Sequence, residues 1–84
     1  MGHPRPRPKR LAEKLLQIRR SLGMSQPKIA ERLGVKDYTI VSRWELNKLE
    51  PPLGVLLAYA RLMGVPVESL IDDNLEAVFR DQGI

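Results

Sequence analysis

The chain has no cysteine and a single histidine, His3, among its 84 residues. The lack of cysteine excludes disulfide bonds and thiol chemistry, and it fits a reducing compartment. One imidazole near the N-terminus leaves no histidine for a catalytic or metal-binding cluster within a folded core. The sequence also lacks a glycine-rich loop of the kind that cradles phosphates. These absences argue against an enzyme, and we expect no cofactor and no bound metal.

Long apolar runs are missing as well. No stretch approaches the ~20 apolar residues that a membrane-spanning helix needs, and no apolar segment follows the basic N-terminus, as a signal peptide would require. A composition of 43% hydrophobic and 29% charged residues is that of a globular protein. Because 84 residues suffice for one domain with a small core, we expect a single globular domain that makes no membrane contact.

The net charge of +4 is unevenly distributed along the chain. Residues 1–10 carry four basic side chains and no acid, residues 11–50 carry eight bases and five acids, and residues 51–84 carry two bases and five acids. A polyanion would therefore meet the N-terminal two-thirds of the chain. The alternative interpretation is an ordinary solubilising charge.

The first ten residues, MGHPRPRPKR, alternate proline with basic residues. Such a pattern prevents a regular helix and favours an extended, solvated backbone. We interpret residues 1–10 as a flexible basic arm that could lie along phosphates or enter a minor groove. The alternative is a solvated leader without a binding role.

Apolar spacing predicts a first helix from Leu11 to Leu22. Leucine and isoleucine recur there every three or four residues, which marks one buried face. Lys14 and Arg20 fall outside this stripe, so we expect both side chains in solvent. Gly23 is expected to end the helix.

The stretch from Ser25 to Glu45 predicts two short helices joined by a tight turn. Ser25 is a good N-cap, and Pro27 follows in the first helical turn, where its missing N–H is tolerated. Gly34 is the expected C-terminal residue, because glycine readily adopts the left-handed conformation there. Gln26 is placed either to contact a phosphate or to brace the next helix.

The second helix of this pair is predicted to present a polar outer face. Asp37 can cap it, and Val41 and Trp44 point inward at helical spacing. The outer face then carries Tyr38, Thr39, Ser42 and Arg43. A small helix, a turn and a helix with hydrogen-bonding groups on its outer side are typical of a helix-turn-helix that reads DNA.

A loop and a fourth helix come next. Residues 46–52 form the loop, in which Asn47 can adopt a left-handed conformation. The fourth helix is predicted from Leu53 to Met63, with Leu53 on its apolar face. We expect Tyr59 to be half exposed and assign it no role.

The C-terminal part of the chain is less regular. A short fifth helix is predicted from Pro66 or Val67 to about Asp72, which completes a helix-turn-helix domain over residues 11–73. Residues 74–84 are ambiguous. They are compatible with a helical extension that packs on the core or meets a second subunit, because helical spacing relates Leu75, Val78 and Phe79.

The order of these motifs resembles a known family. The segments IRRSLGMSQ, IAERLGV, IVSRWE, PPLGVLLAYARLMGV and VESL follow one another between Leu15 and Leu70. Together they resemble the phage-repressor/Cro type of helix-turn-helix, the family of the xenobiotic response element regulators. The resemblance implies an all-α, five-helix, lambda-repressor-like bundle and a repressor-like transcriptional regulator that binds double-stranded DNA sequence-specifically in the major groove. The expected location is then the cytoplasm, in association with the nucleoid.

The resemblance also implies roles for individual residues. It makes Arg19 and Glu45 a structural ion pair, Gln26 a phosphate contact, and the recognition-helix positions Tyr38, Thr39, Ser42 and Arg43 base contacts. The exposed basic residues that would set the register on phosphates are Lys28, Arg32, Lys36 and Lys48. For Arg43 the alternative is a phosphate contact or an ion pair, for Tyr38 packing against the turn, and for Lys48 a solvated side chain. Lys36 looks like an insertion in the turn, which leaves the start of the recognition helix open by one position.

The expected partners follow from the size of the domain. One such domain reads too few base pairs for genomic specificity, so we expect a homodimer on an inverted-repeat operator. Its contact surface is either the fifth helix with its approach or the segment from Leu75 to Phe79. The alternative function is an antitoxin or another protein-interaction module on the same scaffold. Its protein partner would bind the C-terminal segment, where acids accompany apolar residues between Asp72 and Asp81.

Overall fold

Residues 8–78 are described by the structure, a computed structural model. They form five helices and no strand, which confirms the predicted all-α fold. The helices are α1 (Leu11–Ser21), α2 (Gln26–Leu33), α3 (Thr39–Glu45), α4 (Leu53–Met63) and α5 (Glu68–Ile71). The division into an arm over 1–10, a domain over 11–73 and a C-terminal segment over 74–84 stays a prediction.

Local signals set the ends of α2. The Ser25 hydroxyl accepts a hydrogen bond from the backbone N–H of Lys28 at 3.2 Å, so Ser25 is the N-cap as expected. Gly34 ends the helix with a left-handed φ of 76°, and the Val35 N–H returns to the Ala30 carbonyl at 2.9 Å. The chain therefore turns sharply at Gly34, between the end of α2 and the start of α3.

The core lies between α1, α3 and α4. Its fully buried members include Leu15 and Ile18 of α1, Val41 of α3, and Tyr59 of α4. Trp44 packs edge-on against Tyr59, with ring centroids 6.4 Å apart. This apolar packing holds α3 against the body by its inner face.

Two expectations about burial were wrong. Tyr59 is fully buried rather than half exposed, because α4 turns this side chain toward Trp44. Leu53, predicted on the apolar face of α4, is 63% exposed, because it is the first residue of the helix and projects beyond the core.

Lys14 is the third correction. We expected it in solvent, yet its side chain is fully buried beneath α5. Its ammonium group donates to the carbonyls of Ser69 and Asp72, each at 2.7 Å. These carbonyls lie at the C-terminal end of α5, where helical carbonyls lack intrahelical partners. Lys14 of α1 therefore supplies the C-terminal cap of α5, while burial lowers the pKa of its ammonium group.

The reverse contact caps α1. No side chain local to the start of α1 caps it. The Asp73 carboxylate accepts there from the backbone N–H groups of Lys9 and Arg10, both at 3.0 Å. The Arg10 guanidinium in turn donates to the Asp73 carbonyl at 3.0 Å and to both carboxylate oxygens of Glu76 at 3.1 and 2.9 Å. We call these contacts between residues 9–14 and 69–76 the terminal clasp.

The clasp bears on both ends of the described chain. Lys9 and Arg10, which the sequence assigned to the arm, are held to the helical body, while residues 1–7 lie outside the described residues. Residues 74–78 form turns and bends instead of the start of a helix. The Asp72 carboxylate accepts from the Asn74 N–H at 2.9 Å, which favours a turn at this point. The rest of the proposed extension, residues 79–84, lies outside the described residues.

Candidate nucleic-acid interface

The outer face of α3 is the centre of the candidate site. Tyr38, which precedes the helix, is 48% exposed. Thr39 and Arg43 are exposed, and Ser42 is half-buried. All four side chains predicted to contact bases thus lie at or on α3, whose opposite face is buried through Val41 and Trp44. The side chain of Arg43 makes no hydrogen bond or ion pair with any residue between 8 and 78.

A carboxylate controls the first turn of α3. Oδ1 of Asp37 accepts from the Thr39 backbone N–H at 3.0 Å and from the Thr39 hydroxyl at 2.6 Å. These two hydrogen bonds lower the pKa of Asp37, with a smaller contribution from the positive charge of Arg43. The regular helix begins at Thr39 with Tyr38 as its N-cap, so Asp37 lies one residue before the cap position expected for it. Its carboxylate nevertheless accepts from the first N–H of the helix. The engagement of the Thr39 hydroxyl was not foreseen, although the spacing Asp-x-Thr is the signal that could have indicated it.

A buried ion pair braces the other end of α3. Glu45, the last residue of the helix, accepts from Nε and Nη2 of Arg19 at 2.6 and 3.0 Å. The side chains of Arg19 and Glu45 are only 17% and 5% exposed. Arg19 also donates to the Met24 carbonyl at 3.0 Å, and Gln26 donates to Glu45 at 3.1 Å. One carboxylate thus joins α1, the start of α2 and the end of α3, and it raises the pKa of Arg19 through their hydrogen bonds.

This geometry bears on the expectations for Gln26. Of the two roles considered, phosphate contact or brace, the hydrogen bond to Glu45 corresponds to the brace. Because an amide has two N–H donors and an acceptor oxygen, Gln26 can serve as a brace and still offer a donor to a phosphate. Its side chain is half-buried at the start of α2, where part of it faces solvent.

The predicted phosphate contacts surround α3 in the chain. Lys28 and Arg32 are exposed on α2, Lys36 is exposed in the turn, and Lys48 is exposed after α3. Lys28 forms an ion pair with Glu31 at 3.3 Å, with both side chains more than half exposed, so solvent weakens this pair. The backbone N–H of Lys48 donates to the Arg43 carbonyl at 2.9 Å, which holds the following loop against the end of α3.

Other kinds of site are not found in the part of the chain that the structure describes. Residues 8–78 contain no group of three or more histidine, cysteine or acidic side chains arranged to hold a metal ion. None of the helices in this range has the length and apolar character to cross a membrane.

The geometry defines a helix-turn-helix: α2, a turn that begins at Gly34, and α3 with its polar side exposed. The chain matches the helix-turn-helix family over residues 15–70, two-thirds of its length, and it belongs to this family, of the Cro/C1 type. Among solved structures it is similar to a hypothetical transcription factor, NHTF, from Neisseria. The two share 26% sequence identity and a TM-score of 0.65, over 83% of this chain and 86% of the other. The comparison with curated proteins gave no match.

These similarities confirm the resemblance drawn from the motifs. They support a DNA-binding regulator of transcription and point away from an enzyme.

Proposed function

We propose that the chain binds double-stranded DNA sequence-specifically, by placing the outer face of α3 in the major groove, and acts as a repressor-like transcriptional regulator. The observation that carries this proposal is the contrast between the two faces of α3. One face is buried and braced at Glu45, and the other presents hydrogen-bonding side chains to solvent. A major groove about 12 Å wide admits such a helix.

The exposed residues divide into readers and anchors. Arg43 is the main reader, since a guanidinium can donate to O6 and N7 of guanine at once. Tyr38, Thr39 and Ser42 complete the base-contacting set. The proposed anchors hold the backbone and carry no sequence information; they are Gln26, Lys28, Arg32, Lys36 and Lys48.

The working form on DNA is a homodimer on an inverted repeat, and the protein acts in the cytoplasm at the nucleoid. The surface by α5, one of the two predicted from the sequence, supports this form. There the exposed Leu53 borders an apolar groove of about 320 Å³, lined by Pro51, Leu53, Leu56 and Ile71. A protruding leucine beside a groove suits a two-fold contact, because each copy supplies both parts.

Selection of bound sequences from a random duplex pool tests the central proposal. We expect enrichment of an inverted repeat whose half-sites lie about one helical turn apart. If no duplex is enriched even at low ionic strength, the proposed function is wrong.

Replacement of Arg43 by alanine tests the assigned reader. The variant should keep its fold and lose discrimination at one base pair, by about 1–3 kcal/mol. Arg61→Ala on α4 is the matched control, because it removes the same charge from another exposed position. If Arg43→Ala discriminates between the cognate and the altered duplex as strongly as wild type does, Arg43 does not read that base pair.

Removal of residues 1–7 tests the arm. This deletion leaves Lys9 and Arg10 in the terminal clasp, so it does not disturb α1. If the two arginines of this segment contact phosphates, the slope of log K against log salt should become shallower by about 1–2. An unchanged slope assigns the arm no role in binding.

Leu53→Asp tests the dimer surface. A buried carboxylate would oppose association, so we expect a monomer and loss of cooperative binding to the inverted repeat. Leu46→Asp is the matched control, since Leu46 is 61% exposed but does not line the groove. Sedimentation of the two variants on and off DNA distinguishes them, and a dimeric Leu53→Asp protein would exclude this surface.

The alternative, an antitoxin or other protein-interaction module, rests on the segment after Asp72. Leu75 is 41% exposed there, which favours a contact, whereas Val78 packs on the core and Phe79 lies outside the described residues. A stoichiometric protein partner that stays bound through purification, and is lost in Leu75→Asp, would support this function.

A further inference from the structure

The side chain of Thr39 is restricted by Asp37 in a way that bears on sequence preference. A threonine hydroxyl has one hydrogen to donate and two lone pairs with which to accept. At 2.6 Å from a carboxylate oxygen, that hydrogen is committed to a short, charge-assisted bond. The same oxygen of Asp37 also accepts from the Thr39 backbone N–H, so the carboxylate is fixed in place by two bonds.

What Thr39 can still present to a partner is an acceptor oxygen and a methyl group. The residue is exposed at the first position of α3, so both groups are available to the solvent side of the helix. An unrestrained threonine, in contrast, could rotate its hydroxyl to donate to any acceptor on a base edge.

The base edges in the major groove differ in whether they can pair with an acceptor oxygen and contact a methyl group. Guanine offers only the acceptors N7 and O6, which oppose an acceptor oxygen. Adenine offers its N6 amino donor, and the thymine paired with it offers a methyl group. An A·T pair can therefore satisfy both groups that Thr39 presents, while a G·C pair offers the cytosine amino donor but no methyl.

We propose that Asp37 is a specificity-determining residue: by holding the Thr39 hydroxyl as an acceptor, it makes Thr39 select an A·T pair against G·C at one position of the half-site. This inference rests on the proposed function, since it needs α3 in the major groove. Asp37 acts through Thr39, so it is a positioning residue and need not touch a base.

The test measures the affinity for each of the four base pairs at every position of the selected half-site. In wild type, one position should favour A·T over G·C by about 5–10-fold, the size of a single good contact. In Asp37→Ala the hydroxyl can donate to guanine, so this preference should fall to within about twofold. The same variant should bind all duplexes somewhat more tightly, because it removes a negative charge near phosphates.

Matched variants separate the hydrogen bond from the charge. Asp37→Asn loses the charge but keeps an acceptor oxygen for the Thr39 hydroxyl, so the preference for A·T should remain. Thr39→Ser keeps the hydroxyl and its bond but removes the methyl group. Thr39→Val keeps the methyl group and replaces the acceptor hydroxyl with a second methyl. Each Thr39 variant should lose part of the preference at the same position that Asp37→Ala affects.

Two results would overturn the inference while leaving the proposed function intact. One is specific binding by Asp37→Ala with unchanged preferences at every position. The other is a preference for cytosine that disappears in Asp37→Ala but persists in Thr39→Val, since this would make the carboxylate itself the reader. If the wild-type protein prefers no duplex at all, the proposed function fails instead. Circular dichroism of each variant checks that the loss of the hydrogen bonds between Asp37 and Thr39 has not unfolded α3.

Discussion

Replacement of Arg19 by methionine should destabilise the fold more than most single substitutions can. The change keeps much of the apolar stem and removes the guanidinium. Glu45, whose side chain is 5% exposed, then keeps only the Gln26 amide of its three donor contacts. The Met24 carbonyl also loses its donor. The variant thus leaves a nearly uncompensated charge inside the protein.

The expected magnitude follows from that burial. Removal of one partner from a buried ion pair costs about 3–5 kcal/mol. The total stability of a domain of this size is of the order of 4–13 kcal/mol, so Arg19→Met should remove a large share of it. The double variant Arg19→Met/Glu45→Met removes the stranded carboxylate as well. It should lose only about 1–2 kcal/mol, because no buried charge remains and only two neutral groups lose a partner, the Met24 carbonyl and the half-buried Gln26 amide.

Urea unfolding followed by the fluorescence of Trp44 provides the assay. Trp44 is the only tryptophan and is buried beside Glu45, so it reports directly on the core around the pair. With an m-value of about 1–1.5 kcal/mol/M, the midpoint of Arg19→Met should fall by roughly 2–5 M. Arg20→Met, on the exposed side of α1, is the matched control and should change stability by less than about 0.5 kcal/mol.

The cycle of single and double variants gives the coupling energy between the two side chains. We expect at least about 2–3 kcal/mol, since the cost of Glu45→Met alone adds to the difference between Arg19→Met and the double variant, which should be the more stable of the two. A loss below about 1 kcal/mol in Arg19→Met would refute the reasoning, since that value is typical of a solvent-exposed ion pair.

Three further predictions concern groups away from α3. Lys14→Met should lower stability in urea by about 1–3 kcal/mol, because two carbonyls at the end of α5 lose their donor; an unchanged midpoint would contradict this cap. Tyr59→Phe should leave stability unchanged or raise it by up to about 1 kcal/mol, because the buried hydroxyl has no hydrogen-bond partner among the described residues. The same burial raises the pKa of Tyr59. A clear loss of stability would show that the hydroxyl does have a partner. The backbone N–H groups of Arg10 and Lys9 lower the pKa of Asp73 below its ordinary value of 3.8. Its contribution to stability is therefore complete above that pH and is lost as the pH falls through the lower folded-state pKa. Asp73→Asn should reduce stability at neutral pH and flatten its decline in acid, as pH-dependent thermal unfolding would show.

The parts of the fold that were predicted correctly depend on short stretches of chain. Ser25 caps α2 through a group three residues away, and Gly34 ends the helix through its own backbone conformation. The bounds of α4 followed in the same way from the prolines before it and Gly64 after it. Signals of this kind are complete within one or two turns of helix, so the sequence alone contains them.

The residues whose burial was predicted wrongly contact partners that are distant in the sequence. Lys14 is buried because carbonyls more than 50 residues away accept its three-donor ammonium group. Tyr59 is buried because Trp44 packs against it across the core. Helical periodicity assigns each residue to a face of its own helix, but it does not say which long side chains find a buried partner on another element.

The candidate site shows the same limit on a smaller scale. Helical spacing was enough to place Thr39 and Arg43 on the outer face of α3, and their assignment as base contacts stays a prediction. The spacing Asp-x-Thr permits a hydrogen bond between these two side chains, but it does not show whether the Thr39 hydroxyl adopts the rotamer that makes it. The bond from Thr39 to Asp37, which decides whether Thr39 can donate, depends on a side-chain torsion that only the three-dimensional structure contains.

The terminal clasp also has a consequence for folding during synthesis on the ribosome. Asp73 caps α1, and Lys14 is the donor for the end of α5, so the first and the last helix of residues 8–78 each depend on a side chain from the other end of this range. Contacts that span more than 60 residues form late, since the intervening chain must be closed into a loop. During synthesis α1 therefore lacks its cap until Asp73 has emerged from the exit tunnel. A nascent chain stalled before residue 73 should be digested readily by protease at its amino-terminal end, and release of the remaining residues should protect it.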